Sequence, residues 1–302
     1  MNPLREIWIL VLRELRRSFR SVKGILLLIL TVLGGGLFAH LLAQSDSVRK
    51  QQMAEKGLSP EMLLEMKRQL LAVWFTNAKT GEHVANAPLL LTVVFAVSLW
   101  FVPAIVLILG FDNIAGDLQH KSIRYWALRT RRWSYVAGKF FGLWATCSIV
   151  ALAMHALIWI VVVARGEATF GETIGWGFRF WLASVPIIGM WCGVSVFISS
   201  LFRWPILALL LTGGMFFTWW IIYISGWGPH LAALQAINAE HAGSDAVALP
   251  PPNAAMYIFP NFHDRLVLSP VLSEMLLGLV ISFGFSAACV AGGSLVVSRR
   301  DI

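Results

Sequence analysis

Few groups of residues in this 302-residue sequence have the types and the spacing of a reactive site. Gly138-Lys139 ends like a phosphate-binding loop of the form GxxxxGKS or GxxxxGKT. However, Phe140 replaces the hydroxyl residue that binds magnesium, and the upstream glycine is absent. The sequence also lacks the HExxH zinc motif and the GxSxG nucleophile motif. These features predict that the chain is not an enzyme by itself and binds no cofactor of its own.

The three cysteines, Cys147, Cys192 and Cys289, all fall within apolar runs, and none has a CxxC neighbour. No cluster of histidine, cysteine and carboxylate residues has the spacing of metal ligands. We therefore expect the cysteines to be small core residues and expect no metal site.

Two ionisable residues lie in or beside apolar segments, where ion-coupled carriers hold the groups that bind protons or ions. His155 is midway along one such segment, and Glu274 follows Pro270 at the start of another. Each also has a structural interpretation: a packed histidine, and a carboxylate stabilised by a helix N-terminus. We keep both as a candidate transport path, although an ion-coupled carrier would normally show more such groups.

The highest density of charge occurs in residues 111–139, FDNIAGDLQHKSIRYWALRTRRWSYVAGK, which we call the basic segment. It holds six Lys or Arg residues between two apolar runs: Lys121, Arg124, Arg129, Arg131, Arg132 and Lys139. Ile114, Leu118, Ile123 and Trp126 form an apolar face. This pattern favours a short amphipathic helix at the membrane surface over a solvated loop. Such a helix can fit a groove in a cytosolic protein and pass its movement to the attached helices.

The composition requires a membrane around these residues. The chain is 58% hydrophobic and only 13% charged, with a mean hydropathy of +0.72, whereas soluble domains carry about 25% charged residues. A bilayer core needs about 20 helical residues, and six apolar runs satisfy this: 24–43, 88–110, 140–164, 176–200, 205–225 and 271–297. The predicted fold is an all-α integral membrane protein, with residues 1–302 as one transmembrane domain.

An amphipathic helix precedes the first span, within residues 1–23. Leu4, Trp8, Val11, Leu12, Leu15 and Phe19 share one face, and Arg13, Arg16, Arg17 and Arg20 share the opposite one. We expect this helix to lie in the membrane interface. Two long loops, residues 44–86 and 227–269, join spans on the other side. A helix is expected after Ser59-Pro60-Glu61 in the first of them, and a short helical piece near 231–241 in the second.

The distribution of Lys and Arg sets the orientation. With the N-terminus inside, the inner side holds 15 of these residues and the outer side nine, six of which face five acids in residues 44–86. Both termini and the basic segment are therefore predicted to be cytoplasmic. The net charge of +8 lies in short runs at the ends of spans, which indicates topology signals and contact with anionic membrane lipids rather than nucleic acid.

The basic segment resembles the corresponding part of the ABC-2 type permeases, the membrane subunits of a class of ATP-binding-cassette transporters. The matching positions are Asp117, then Lys121-Ser122-Ile123, then WALRTRR (126–132), ending at Gly138-Lys139. Asp117 stands where Glu is usual, Lys121 where Gly is usual, and Thr130 where Pro is usual. The interfacial helix, the six spans and the long outer loops also resemble that family.

This resemblance implies a permease that works with two cytosolic ATPase subunits, which carry the ATP and Mg, and with a second permease. That second permease is either another copy of this chain, as in a homodimer, or a different, paired permease. It implies a bacterial inner-membrane location and a cytoplasmic coupling helix between the second and third spans. The implied contacts with the ATPase are Asp112, Asp117, Lys121, Ser122, Arg124, Arg129 and Arg132, with Arg13, Arg16 and Arg17 on the interfacial helix beside them. Export is the expected direction, and the substrate is left open.

Two other functions fit the sequence. The outer loops favour a membrane scaffold that holds or matures a partner protein, and His155 with Glu274 favours an ion-coupled carrier. The missing phosphate-binding loop gives the ATPase-driven permease more weight, because that function needs the cytosolic partner that the basic segment is suited to contact.

Overall fold

The computed structural model describes residues 2–55, 77–240 and 260–300, with positions 64, 67, 68, 71, 75 and 257. Within these ranges the chain is helical, and no strand occurs. The helices, numbered here in chain order, are α1 (Pro3–Arg20), α2 (Val22–Glu55), α3 (Ala78–Ala85), α4 (Leu89–Gly110), α5 (Ala115–Gln119), α6 (Ile123–Ala127), α7 (Arg132–Ala164), α8 (Phe170–Leu201), α9 (Pro205–Glu240) and α10 (Leu272–Ser298). A 3-10 helix, Pro260–Leu268, precedes α10.

Six helices in these ranges are long and apolar enough to cross a membrane, which confirms the predicted fold class. They are α2 over Val22–Leu42, α4 with the turn after it over Leu89–Gln119, α7, α8, α9 over Pro205–Gly226, and α10. Leu26, Leu30 and Leu33 of α2 are exposed in the isolated chain. In a bilayer such side chains contact hydrocarbon, so their exposure agrees with a membrane-spanning helix.

The central span is α8, which packs against α4, α7 and α10 and has most of its residues buried. It begins at a capping box in which Thr169 and Glu172 satisfy each other's backbone N–H groups. Further along α8, Phe180 stacks on Phe95 of α4 with ring centroids 4.9 Å apart.

Several helices extend beyond the predicted apolar runs. Helix α7 begins at Arg132 rather than at residue 140, because its first two turns bury Tyr135 and Lys139, whose polar atoms pair with Asp117 of α5. The run that starts at Pro205 continues as one helix to Glu240, so the piece expected near 231–241 belongs to α9. The helix expected after Ser59-Pro60-Glu61 lies outside the described residues.

Helix α1 lies beside the bundle and packs mainly along α7. It ends at Arg20, and Ser21 has an extended backbone that separates it from α2. Leu4 and Trp8 remain exposed, at 74% and 60% of their surface. Since these side chains belong to the apolar face, an interfacial position for α1 remains our prediction. We call the end of the bundle that carries α1 the α1 side.

Candidate functional site

Helix α1 approaches α7 closely at two glycines spaced four residues apart. A Cβ atom at Gly138 would lie 2.5 Å from Leu10 Cβ, and one at Gly142 would lie 2.5 Å from Glu14 Cβ. Small residues at this spacing let two helices pack backbone to backbone in membrane proteins. Because neither position tolerates a side chain, the glycines bring the one polar residue between them, Lys139, directly against α1.

Lys139 lies between these glycines and is fully buried. Its Nζ atom is 2.7 Å from Asp117 Oδ2 and 3.0 Å from Glu14 Oε1. Asp117 and Glu14 are themselves only 4% and 5% exposed. A buried charge is costly unless it is paired, so the one ammonium and the two carboxylates depend on each other.

Asp117 accepts further bonds from three directions. Tyr135 donates its hydroxyl to Oδ2 at 2.6 Å, and Ser122 donates to Oδ1 at 3.1 Å. Arg17 Nη1 lies 3.4 Å from Oδ1. We call this set the buried ion network: Glu14, Arg17, Asp117, Tyr135 and Lys139. It joins α1, α5 and α7, and Ser122 adds the turn that leads to α6.

The basic segment forms two short helices, α5 and α6, rather than the single amphipathic helix expected. Lys121 lies between them with a φ of 57°, in the left-handed region that a right-handed helix cannot include. The start of α5 is fixed from within the bundle, since the backbone N–H groups of Ile114 and Ala115 donate to Ser199 Oγ of α8 at 2.9 and 3.0 Å. The basic segment is therefore held by α8 as well as by the buried ion network.

Glu6 of α1 caps the start of α7. Its Oε2 accepts a hydrogen bond from the backbone N–H of Arg131 at 3.1 Å. This bond holds the pKa of the Glu6 carboxyl below its ordinary value. About two turns further along α1, the guanidinium of Arg13 lies 4.2 Å from the ring centre of Trp126 on α6. Helix α1 thus contacts both α6 and the residue that precedes α7.

A second ion pair joins the basic segment to the start of α2. Lys23 Nζ lies 2.8 Å from Asp112 Oδ1 and donates to the carbonyl of Leu109 at 3.2 Å. Its ammonium is also 4.2 Å from the ring centre of Phe111. Because Lys23 and Asp112 are partly exposed, this pair adds little stability, but it fixes the exit of α4 beside the start of the first span.

The outer surface of the basic segment carries side chains that the bundle leaves exposed. Leu128 is 88% exposed, Tyr125 is half exposed, and the guanidinium of Arg129 stacks on Tyr125 at 4.1 Å from its ring centre. Lys121 and Arg124 are also exposed. We call Lys121, Arg124, Tyr125, Leu128 and Arg129 the exposed basic surface.

The remaining residues singled out in the sequence lie elsewhere. Arg16 is exposed on α1, and Arg132 Nη1 donates to backbone carbonyls at the end of α10. His155 is buried within α7, and its Nε2 has no hydrogen-bond partner among the described residues. Glu274 lies in the first turn of α10, as expected, and accepts hydrogen bonds from Asn77 and Ser269 at 2.9 and 2.6 Å.

Sequence reasoning missed Glu14, Tyr135 and the burial of Lys139. Two patterns in the sequence could have predicted the close contact between α1 and α7. Gly138 and Gly142 form a GxxxG motif, which is typical of close helix packing. On α1, Glu6, Leu10 and Glu14 recur every four residues and so define a third face, between the apolar and the basic ones.

The fold and the site define a polytopic membrane protein in which a basic connection between two spans is anchored by buried ion pairs. In the described ranges no group of three His, Cys, Asp or Glu side chains could hold a metal ion. Residues 8–292 match the family model described as "ABC-2 family transporter protein". The chain belongs to this family, and it is therefore a membrane subunit of an ABC transporter. A comparison with curated proteins gave no match.

Proposed function

We propose that this chain is the permease subunit of an ATP-driven exporter and that its basic segment, residues 111–139, is the element that receives force from a cytosolic ABC ATPase. The observation that carries the proposal is the burial of Lys139 between Asp117 of the basic segment and Glu14 of α1. A solvated loop would not need charges fixed in this way.

The buried ion network gives the basic segment a mechanical connection to the spans. Displacement of α5 moves Asp117, and Asp117 is bonded to Tyr135 and Lys139 of α7 and to Arg17 of α1. Separating these charges in a buried environment is costly. Helices α1 and α7 are therefore expected to follow α5 as a unit when an ATPase moves it.

The exposed basic surface is suited to an ATPase groove. Leu128 and Tyr125 supply apolar contact area, and Lys121, Arg124 and Arg129 supply positive charge around it. An apolar centre with a charged rim is the usual arrangement at a protein interface. Complementary acidic residues on the ATPase would guide the encounter and set its orientation.

The assembly that follows from this proposal contains two ATPase subunits, which bind the ATP and Mg, and two copies of this single-domain permease. In a bacterial cell it would lie in the inner membrane with both termini in the cytoplasm. With the N-terminus inside, the spans predicted from the sequence assign 15 Lys and Arg residues to the cytoplasmic side and nine to the outer side, and this difference supports the orientation.

Co-purification in mild detergent tests the proposal. The chain is expressed with candidate cytosolic ATPases from the same genome, and the ATPase retained on the tagged chain is quantified. Arg124→Glu with Arg129→Glu should lower retention at least tenfold, because both changes place like charge against an acidic groove. Arg165→Glu, at an exposed arginine on the other side of the bundle, is the matched control and should retain the ATPase. Unchanged retention by the double variant, or transport by the purified chain alone, would overturn the proposal.

A further inference from the structure

An open groove of about 870 Å³ runs between α7 and α10. On the α7 side it is lined by Phe140, Phe141 and Trp144, and on the α10 side by small and apolar residues that include Ala287 and Val290. Along α10 the lining extends from Phe283 to Ser298, about 22 Å at 1.5 Å per residue. The groove is thus long enough to follow a lipid chain through one leaflet, which is about half of a 30 Å core.

The groove ends at a group of arginines on the α1 side. Arg132 lines that end, and its Nη1 donates to the carbonyls of Val297, Ser298 and Arg300. Its Nε and Nη2 atoms make no hydrogen bond to any residue that the structure describes. Trp133 lies beside it, 47% exposed, as aromatic residues do at the membrane interface.

Three further arginines, Arg203, Arg299 and Arg300, lie at the same end of the bundle as Arg132. Arg299 follows the last turn of α10, and Arg300 reaches across to donate to the carbonyl of Leu201 at 2.6 Å. Burial lowers the pKa of Arg300, and the like charge of Arg203 lowers it further. None of these four arginines forms an ion pair with an acidic residue in the described ranges.

We propose that this groove is a binding site for an anionic phospholipid of the leaflet on the α1 side. One acyl chain occupies the groove between α7 and α10, and the phosphate lies against Arg132 and Arg299. A basic pocket between two spans, at the level of the headgroups, is the arrangement that holds lipids such as phosphatidylglycerol or cardiolipin. The free donors of Arg132 match phosphate oxygens, and the aromatic wall matches the hydrocarbon.

A second copy of the chain fits this groove less well. Two copies in one membrane have the same orientation, so their arginine groups lie at the same depth. A symmetric contact through the groove would bring Arg132 and Arg299 of each copy towards the same residues of the other. An anionic lipid neutralises this charge, whereas a second copy doubles it.

Native mass spectrometry of the purified full-length chain provides the test. The chain is titrated with phosphatidylglycerol and, separately, with phosphatidylcholine of the same acyl length. The unaltered chain should bind one phosphatidylglycerol at least tenfold more tightly than phosphatidylcholine. Arg132→Gln should remove this preference, and Ala287→Trp should weaken both lipids by filling the groove.

Matched controls separate the site from general changes in the surface. Arg20→Gln removes an exposed arginine of α1, and Ala288→Trp adds the same bulk at an exposed position next to the groove residue Ala287; both should bind lipid as the unaltered chain does. If Arg132→Gln does not fold, Arg299→Gln provides the charge test at a residue that the structure leaves exposed. Equal binding of both lipids by the unaltered chain would overturn the proposal. So would unchanged preference in every charge variant, or dissociation of a dimer by Ala287→Trp.

Discussion

Lys139 Nζ lies 2.7 Å from Asp117 Oδ2, in a side chain that has no exposed surface. The pair joins α7, which forms the third span, to α5 in the connection between the second and third spans. A charge pair this deeply buried gains little net stability over an apolar contact, but losing one partner leaves the other unpaired. Its geometry therefore makes the position of α5 depend on the position of α7.

Replacement of Lys139 by methionine should destabilise the chain strongly. Methionine keeps most of the side-chain volume but leaves Asp117 and Glu14 as buried carboxylates without their shared cation. Removing one partner of a buried pair costs about 3–5 kcal/mol, so the thermal unfolding midpoint in detergent should fall clearly. The midpoint is measured by fluorescence-detected size exclusion after heating.

A double variant separates lost pairing from lost packing at this position. If pairing dominates, adding Asp117→Asn to Lys139→Met should cost less than the sum of the two single changes, since the second removes one unpaired charge. Additive losses would show that Lys139 acts through packing alone.

The close contact between α1 and α7 should be sensitive to bulk. Gly142→Leu places new atoms where Glu14 Cβ is already 2.5 Å from an added Cβ, and overpacking of this kind costs about 1–3 kcal/mol. We expect α1 to separate from α7, with faster limited proteolysis after Arg20. Gly175→Leu in α8 is the control, because nothing lies within 4 Å of an added Cβ there. Equal proteolysis of the two variants would contradict a role for Gly142 in holding α1.

The sequence was sufficient for the spans but not for the buried polar contacts. Runs of about 20 apolar residues identify membrane helices because the bilayer imposes both their length and their composition. The same criterion placed the start of the third span at residue 140. By that criterion Lys139 is the charged residue that ends the connection before the third span. In the structure Lys139 lies inside the helix, and its charge pairs with Glu14, which is far away in the sequence.

In the basic segment, too, the sequence predicts the local helix but not the long-range contacts. Its amphipathic pattern correctly indicated helix around Ile123 and Trp126. The break at Lys121 has no signal in the periodicity of the sequence, since lysine is not a residue type that commonly adopts a positive φ. The bonds from Ile114 and Ala115 to Ser199 join residues more than 80 positions apart, and a single sequence contains no information on that pairing.

Asp264 should make the stability of the chain depend on pH. It lies in the 3-10 helix before α10, and burial raises the pKa of its carboxyl to about 8, while the hydrogen bond from Ser282 opposes this rise. The folded chain therefore retains a proton that the unfolded chain releases near its ordinary pKa of 3.8. The contribution of Asp264 to the free energy of unfolding should be largest below about pH 4 and should fall as the pH rises to 8.

The unfolding midpoint measured from pH 5 to pH 8.5 checks this expectation. Asp264→Asn should flatten the decline. Ser282→Ala should preserve it, because that change removes the bond that favours the ionised carboxylate but keeps Asp264 buried. Parallel pH profiles for the unaltered chain and Asp264→Asn would show that Asp264 is not the titrating group.

Asp117→Asn should uncouple the ATPase from the membrane subunit without releasing it. Tyr135 and Ser122 donate to different oxygens of Asp117, so the single amide oxygen can still accept one of these two bonds. The side chain loses the ionic contacts to Lys139 and Arg17. The exposed basic surface stays intact, so ATPase retention should change less than twofold. Stimulation of ATP hydrolysis by the permease in proteoliposomes should fall at least tenfold. Loss of retention together with stimulation would mean that Asp117 shapes the docking surface instead.

His155 and Glu274 distinguish an ATP-driven permease from an ion-coupled carrier. His155 is buried within α7, whereas Glu274 is held at the start of α10 by Asn77 and Ser269, and the described residues show no bond that joins the two. If ATP drives the cycle, the double variant His155→Ala with Glu274→Gln should keep permease-stimulated ATP hydrolysis within about threefold of the unaltered complex, since α1, α5 and α7 retain their contacts. A protonophore should leave hydrolysis unchanged in both proteins. Hydrolysis that collapses in the folded double variant, and that responds to the protonophore only in the unaltered complex, would instead assign His155 and Glu274 to an ion path.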